Sequence, residues 1–129
     1  MTLGEYLKAP RPAWNWGTFD CCTWVAAWVI ASGHADPMGF IRGRYATELG
    51  AIRAIRRGGG LAELWSRGMG DAGCMEVGTP RAGDVAVLSI PTEDRLGEAC
   101  GIWTGDKWGC LHFTGLVFGI GAPQRIWRV

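Results

Sequence analysis

The chain has 129 residues, of which 48% are hydrophobic and 19% charged, and its formal net charge is +1. This length suits one compact domain spanning residues 1–129, and this composition argues against intrinsic disorder. A nearly neutral chain has no overall attraction to nucleic acid or to anionic membranes, so we expect no nucleic-acid partner.

The N-terminal half carries helix signals. Thr2 to Lys8 reads as a short helix, and Asp20 is a good N-cap because its carboxylate can accept hydrogen bonds from the backbone N–H of Cys22 or Thr23. The segment from Cys21 to about Ser32 is apolar almost all round, which predicts a central, buried helix. This apolar run is too short to cross a bilayer, so we expect no membrane span.

Three further helices are expected in this half. Asp36-Pro37 is predicted to open a short helix, with the aspartate as cap and the proline at the first helical position. Thr47 to Arg57 has the clearest amphipathic pattern, and Gly58 should end it. The apolar residues between Leu61 and Trp65 indicate one more short helix.

After Gly70 the pattern changes to short apolar segments separated by Gly, Pro and Asp clusters, which is typical of strands joined by tight connections. Helices first and strands afterwards predict an α+β domain in which N-terminal helices pack on a C-terminal antiparallel sheet. The predicted strands are 84–90, 99–104, 108–113, 116–120 and 125–129.

Cys21 is the residue best placed for chemistry. A cysteine in the first turn of a helix meets unpaired N–H groups and the positive end of the helix dipole, which favour the thiolate. A nucleophilic thiolate also needs a base, usually histidine. The alternative is that Cys21 is a buried and inert free cysteine, which is common.

Three segments resemble the NlpC/P60 cysteine peptidases. "WGTFDCCTWV" (16–25) is similar to the segment that carries the nucleophile, with Cys21 in its place and Asp20 as cap and support for the thiol. "PRAGDVAVLSI" (80–90) resembles the Gly-Asp turn and first core strand of that family, and "ACGIWTGDKWGCLHF" (99–113) resembles its next strand and hairpin. The resemblance implies a papain-like fold. We expect no cofactor and no metal.

The chain also resembles small phage and prophage tail-module proteins related to NlpC/P60. The matching segments are Gly33 to Pro37, Arg42 to Thr47, Gly58 to Gly60 and the C-terminal Trp127-Arg128-Val129. This resemblance implies synthesis in a bacterial host cytoplasm, a place in the virion tail, other tail proteins as partners, and peptidoglycan as a possible target.

The chain departs from the family at the catalytic histidine, because that position falls on Ala99. Alanine cannot accept a proton. Of the two histidines, His34 lies beyond the helix end, about 18 Å from Cys21 along the helix axis. His112 falls near the family's third, orienting polar residue and is the one substitute base we predict.

Other residues have a structural and a functional interpretation. Asp84 is expected to fix the turn into its strand by bonding local backbone. Trp16, with Trp103 and Trp108 on facing hairpin strands, either lines a groove for glycan or peptide or packs in the core and at its rim. Adjacent Cys21 and Cys22, with no Cys-x-x-Cys pair in the chain, do not indicate a metal site.

Charge is unevenly distributed along the chain: residues 42–67 are rich in arginine and residues 71–106 are rich in acids. Two functions remain open at this point. The first is a structural tail-tip component with a degenerate NlpC/P60-like domain, docked through these charged faces. The second is an active cysteine peptidase or amidase that cleaves peptidoglycan stem peptides when the phage delivers its genome, with Cys21 as nucleophile and His112 as base.

Overall fold

The fold is seen in a computed structural model that describes residues 1–91 and 97–129. Within these ranges, helices come first and strands follow. The helices are α1 (Leu3–Lys8), α2 (Cys21–Ala31), α3 (Glu48–Arg57) and α4 (Leu61–Asp71). The strands are β1 (Glu76–Val77), β2 (Val85–Ser89), β3 (Glu98–Trp103), β4 (Trp108–His112), β5 (Gly115–Phe118) and β6 (Ala122–Trp127).

The predicted α+β class with an antiparallel sheet is confirmed. The strands form one sheet in the order β1-β6-β2-β3-β4-β5, and the neighbouring strands are antiparallel. All five predicted strands are present with shifted ends, while the two-residue β1 was not predicted because it has no apolar pattern of its own. In the described part of the chain, no helix has the length and apolar character that a membrane span requires.

Helix α2 is the centre of the main core, as its apolar sequence predicts. Most of its residues are buried, and the helix packs on β3 and β4. The face of the sheet that meets α2 contributes Val87, Cys100 and Ile102, each fully buried. Hydrophobic burial on this face is the main force that places the start of α2 against the sheet.

The opposite face of the sheet carries a second, smaller hydrophobic cluster. Its buried members are Ala86, Leu88, Trp108 and Ile126. These residues alternate along their strands with residues of the main core, as the two-residue period of a strand requires.

Strands β3 and β4 pair over only part of their length. The ladder joins Ile102 to Gly109 and Trp103 to Trp108, yet β3 extends back to Glu98 and β4 continues to His112. The two strands therefore separate at the end that faces the start of α2, and this separation makes room for a cavity.

The prediction of a helix starting at Asp36-Pro37 is wrong. Residues 37–43 form successive turns instead, with backbone bonds such as Arg42 N–H to Met38 C=O. Asp36 still caps the segment, because its carboxylate accepts from Met38 N–H at 2.9 Å. Gly43 has a φ of +80°, a left-handed conformation that stops the turns from continuing as a helix.

Helix α3 begins after its Thr47 cap and ends at Gly58, as predicted. Helix α4 is longer than expected, since it continues past Trp65 through two glycines to Asp71. Gly68 is buried, and a Cβ there would collide with the carbonyl oxygen of Pro37. The glycine that weakens the helix signal is therefore what allows α4 to pack on the preceding turns.

Asp84 has the structural role that was predicted, and more. Its buried carboxylate accepts from Arg81 N–H at 2.8 Å, which fixes the turn into β2. It also accepts from Arg128 Nε at 2.9 Å and from Val129 N–H at 3.1 Å. Asp84 therefore ties the end of the chain to the start of the central strand.

Candidate functional site

Cys21 is the first residue of α2, directly after the Asp20 cap. The cap is reciprocal: Thr23 N–H donates to Asp20 Oδ1 at 2.9 Å, and Asp20 N–H donates to Thr23 Oγ1 at 2.8 Å. This capping box confirms the predicted role of Asp20 and holds Cys21 at the positive end of the helix.

The other carboxylate oxygen of Asp20 anchors two neighbouring segments. It accepts from Gly17 N–H at 2.9 Å and from Tyr45 Oη at 2.7 Å. Burial and the nearby thiol and carboxyl groups raise the pKa of Tyr45, so its hydroxyl stays a donor. Asp20 is 2% exposed and acts on Cys21 by fixing the helix start, since both of its oxygens are already engaged.

Three thiols meet at this point. Cys22 Sγ lies 3.9 Å from Cys21 Sγ and 3.1 Å from Cys100 Sγ, and all three cysteines are free. Cys100 is on β3, fully buried, and faces α2. The cluster joins the start of the central helix to the middle of the sheet.

The thiol cluster favours ionisation of Cys21. Hydrogen bonds from the Cys100 thiol and then the Cys22 thiol hold the pKa of Cys21 well below its usual value, against the opposing effect of burial. Backbone N–H groups of Cys100 and Cys22 act in the same direction. Burial raises the pKa of Cys100 well above its usual value. Cys21 is therefore the cysteine of the cluster whose thiolate form is most favoured.

A cavity of about 130 Å³ lies between the separated ends of β3 and β4. Cys21, Ala99 and His112 all line it, together with Glu98 and Cys110. Burial raises the pKa of Cys110 to about 11, so its thiol stays protonated. The structure thus brings the predicted nucleophile, Ala99 and the predicted substitute base to one cavity.

His112 is the last residue of β4 and is exposed. Its ring makes an edge contact with Phe113, with centroids 4.7 Å apart. Within residues 1–91 and 97–129, no hydrogen bond joins the His112 ring to Cys21. His112 lies at the mouth of the cavity without being engaged by the thiol.

The predicted tryptophans fall at two separate places. Trp16 lines the cavity beside Cys21 and packs edge-on against Trp14, with centroids 5.0 Å apart. Trp103 and Trp108 contact each other at 5.0 Å and pack with the cluster on the opposite face of the sheet. Trp103 and Trp108 therefore do not line the cavity with Trp16. They pair with each other beside the hairpin turn, whereas the cavity lies toward the other ends of β3 and β4. For these two residues the packing interpretation applies.

The arginine-rich residues 42–67 and the acid-rich residues 71–106 do not form two equally clear charged surfaces. Several arginines of α3 and of the turn before it are exposed: Arg44, Arg53, Arg56 and Arg57. Of the acids, Asp84 is buried and Glu76 is bound by Arg125 at 2.6 Å. Glu93 and Asp94 lie outside the described residues. The exposed arginines are thus the clearer charged surface.

Sequence reasoning missed Cys100 and Tyr45 as parts of the site. No sequence motif links Cys100 to Cys22, because the two residues are 78 positions apart along the chain. A signal was present, since Cys100 follows Ala99 directly and strand alternation turns it to the other side, toward the core. Tyr45 carried no such signal, because its contact with Asp20 depends on the path of the turns after α2.

The fold and the site together define an α+β domain in which a cysteine at the start of a buried helix faces a cavity in an antiparallel sheet. The chain belongs to the family DUF6950, described as a domain of unknown function, whose model matches residues 2–129. No curated protein matches the chain, and no solved structure does.

Proposed function

We propose that the chain is an NlpC/P60-like domain of papain-like fold whose peptidase centre is lost, and that it is a structural component of a phage tail tip. The order of the elements supports the first part, since a buried helix with Cys21 at its start precedes the antiparallel sheet. The three segments that resemble NlpC/P60 lie at the helix start, at β2 and at β3–β4, and all of them contribute to the main core around Cys21.

Ala99 is the single observation that carries the loss of activity. Its methyl group lines the cavity beside Cys21, where the family would place the histidine that takes the proton of the thiol. Among the described residues, the side chains that bond to Cys21 are two thiols, and burial raises the pKa of the Cys100 thiol. A thiol of that kind is a poor general base at neutral pH, so proton transfer to a leaving amine has no carrier at this position.

The partner of such a domain would be another tail protein. The exposed arginines of α3 and of the preceding turn offer a basic surface on the side of the molecule formed by the helices. We expect an acidic surface of a neighbouring tail protein to meet it, because complementary charge guides and orients association. The proposed location in a phage tail is supported by the resemblance to phage tail-module proteins.

A second candidate function is a cysteine peptidase or amidase that cuts peptidoglycan stem peptides. The observation that favours it is that Cys21 and His112 line the same cavity and that the pKa of Cys21 is lowered. In this function the His112 ring turns inward, orients over the thiolate and delivers a proton to the leaving amine.

Peptidoglycan digestion separates the two functions. Purified protein and the variants Cys21→Ala, His112→Ala and Cys74→Ala are incubated with peptidoglycan, and soluble stem fragments are measured by mass spectrometry. Cys74 is a buried free cysteine outside the cavity and serves as the matched control. The structural function predicts no fragments from any of the four. Fragments that disappear with Cys21→Ala and His112→Ala but persist with Cys74→Ala would establish the peptidase instead.

The tail assignment has its own test. Virions produced by a lysogen that carries the gene are purified, and the chain is located by antibody labelling. We expect label at the tail tip. Virions that contain none of this chain would contradict a structural role in the tail.

Restoring histidine at position 99 tests the placement of this residue against Cys21. We expect Ala99→His to shift the pH profile of Cys21 alkylation by iodoacetamide to lower pH, because an imidazolium beside the thiolate stabilises it. Ala99→Gln has a similar size without the charge and should leave the profile in place. An Ala99→His profile identical to that of the natural protein would contradict the proposed correspondence with the peptidase family.

A further inference from the structure

The three thiols at the start of α2 are more than the remnant of a peptidase centre needs. Cys22 Sγ and Cys100 Sγ are 3.1 Å apart, so a disulfide between them requires an approach of about 1 Å, since the S–S bond is about 2.05 Å long. Cys21 Sγ lies 3.9 Å from Cys22 Sγ and also contacts Cys100. One side chain of the cluster is on the sheet and two are on the helix.

We propose that Cys21, Cys22 and Cys100 form a thiol oxidation site that reduces a small hydroperoxide and stores the oxidising equivalents as a Cys22–Cys100 disulfide. This inference does not rest on the proposed function, because it makes no use of residue 99, of His112 or of a peptide substrate.

The cavity of about 130 Å³ selects Cys21 as the thiol that meets the peroxide, because Cys21 lines it. Cys22 is more exposed than Cys21 but does not line this cavity, and Cys100 is fully buried. A water molecule in the liquid occupies roughly 30 Å³, so a cavity of this size admits a hydroperoxide. The thiolate is the reactive form, and the hydrogen bonds from Cys100 and Cys22 favour it at Cys21.

In the first step, the Cys21 thiolate attacks the terminal oxygen of the hydroperoxide. An S–O bond forms, the O–O bond breaks, and the leaving alkoxide or hydroxide takes a proton from solvent to become an alcohol or water. Cys21 is now a sulfenic acid, oxidised by two electrons, and the peroxide is reduced by two.

In the second step, the sulfur of Cys100 attacks the sulfur of Cys21. The S–O bond breaks, and the departing hydroxide combines with the Cys100 thiol proton to leave as water. The pair Cys21–Cys22 is not an alternative here, because consecutive Cα atoms are about 3.8 Å apart and a disulfide usually spans about 4.4–6.8 Å between Cα atoms.

In the third step, Cys22 attacks the Cys100 sulfur from its position 3.1 Å away. The Cys22 proton goes to solvent, and Cys21 leaves as a thiolate, which is the favoured leaving group because its pKa is the lowest of the three. The net reaction converts two thiols and one hydroperoxide into one disulfide, one alcohol and one water. Cys21 ends in the state in which it began.

Disulfide mapping tests the proposal on the natural protein. Reduced protein at pH 7 receives one equivalent of hydrogen peroxide, free thiols are blocked with N-ethylmaleimide, and the non-reducing digest is analysed by tandem mass spectrometry. Fragmentation between Cys21 and Cys22 identifies which of the two is linked. We expect the loss of two hydrogen atoms and a Cys22–Cys100 linkage that dithiothreitol reverses. Over-oxidation of Cys21 without any disulfide, or a linkage between other cysteines, would overturn the proposal.

Variants test the role of Cys21 as the entry point of oxidation. In Cys21→Ala, and in Cys21→Ser as a second variant, disulfide formation should slow by at least about 30-fold, because even an ordinary thiol is only a few per cent thiolate at pH 7. The pKa of the Cys100 thiol is raised by burial, so its thiolate fraction is smaller still. Cys74→Ala lacks a buried thiol outside the cavity and should oxidise at the natural rate. Equal rates in the Cys21 variants and the natural protein would refute the relay, and far-UV circular dichroism confirms that each variant is folded.

Discussion

Replacing Asp20 by alanine should destabilise the domain by about 2–4 kcal/mol. Three hydrogen bonds are removed at once: those from Thr23 N–H at 2.9 Å, from Gly17 N–H at 2.9 Å and from Tyr45 Oη at 2.7 Å. Asp20 is 2% exposed, so water does not readily replace the lost carboxylate. The site depends on this residue because Cys21 follows it directly.

The magnitude follows from the separate contributions. Loss of an N-cap side chain costs about 1 kcal/mol. Gly17 is buried, so its N–H is left without a partner, which costs a further 1–3 kcal/mol or so. Tyr45 is only partly buried, and its hydroxyl turns toward solvent at a smaller cost. The contributions share one side chain, so we expect about 3 kcal/mol rather than the sum of the upper values.

Urea denaturation followed by tryptophan fluorescence measures this change, with Thr47→Ala as the matched control. Thr47 caps α3 by accepting from Gly50 N–H at 3.0 Å, but it is exposed and holds no second segment, so its loss should cost only about 1 kcal/mol. An unchanged slope against urea would show that the folded state stays equally compact. If Asp20→Ala costs no more than Thr47→Ala, the carboxylate does not join the three segments as described.

Two further predictions concern packing and pH. Gly68→Ala should destabilise the protein by about 1–3 kcal/mol, because the new Cβ collides with the carbonyl of Pro37. Gly70→Ala on the same helix meets open space and should stabilise the protein by up to about 1 kcal/mol. Equal urea midpoints for the two variants would contradict this packing. Hydrogen bonds from Arg42 lower the pKa of Asp36 in the folded state, so the pair stabilises the protein above about pH 4 and this contribution is lost as the pH falls through the lowered pKa. The stability difference between natural protein and Arg42→Gln, about 0.5 kcal/mol for this exposed pair, should therefore shrink on acidification from pH 6 to pH 3, and a difference that grows would have the wrong sign.

The parts of the fold that sequence predicts are those whose cause is local. The start of α2 is an example, because Asp20 is followed at the right spacing by Thr23 and then by an apolar segment. The turns at 37–43 were mistaken for a helix because Asp36-Pro37 is a strong start signal, while the obstacles are the φ of Gly43 and the approach of α4 to Pro37. A glycine such as Gly43 does not by itself reveal a left-handed φ in the sequence. The contact between α4 and Pro37 exists only in the folded chain.

The site was predictable in its first residue and much less so in the rest. Cys21 can be predicted from its position directly after the Asp20 cap. Ala99 and His112 are placed near it only by the resemblance to NlpC/P60. The thiol cluster required the register of the sheet, since Cys100 meets α2 only because β3 pairs with β2 at Val87. No spacing rule along the chain links residues that are 78 positions apart.

The cavity itself arises where strand pairing stops. Because the β3–β4 ladder ends at Ile102 and Gly109, the two strands separate toward Ala99 and His112, and the start of α2 places Cys21 against the gap. Both candidate functions and the oxidation site use this same geometry but different atoms in it. Peptide hydrolysis depends on what residue 99 or His112 supplies to Cys21, whereas oxidation depends on the sulfur atoms behind it. Absence of peptidoglycan cleavage together with a Cys22–Cys100 disulfide would therefore support a reactive thiolate at Cys21 without peptidase activity. Cleavage without the disulfide would assign the lowered pKa of Cys21 to hydrolysis alone.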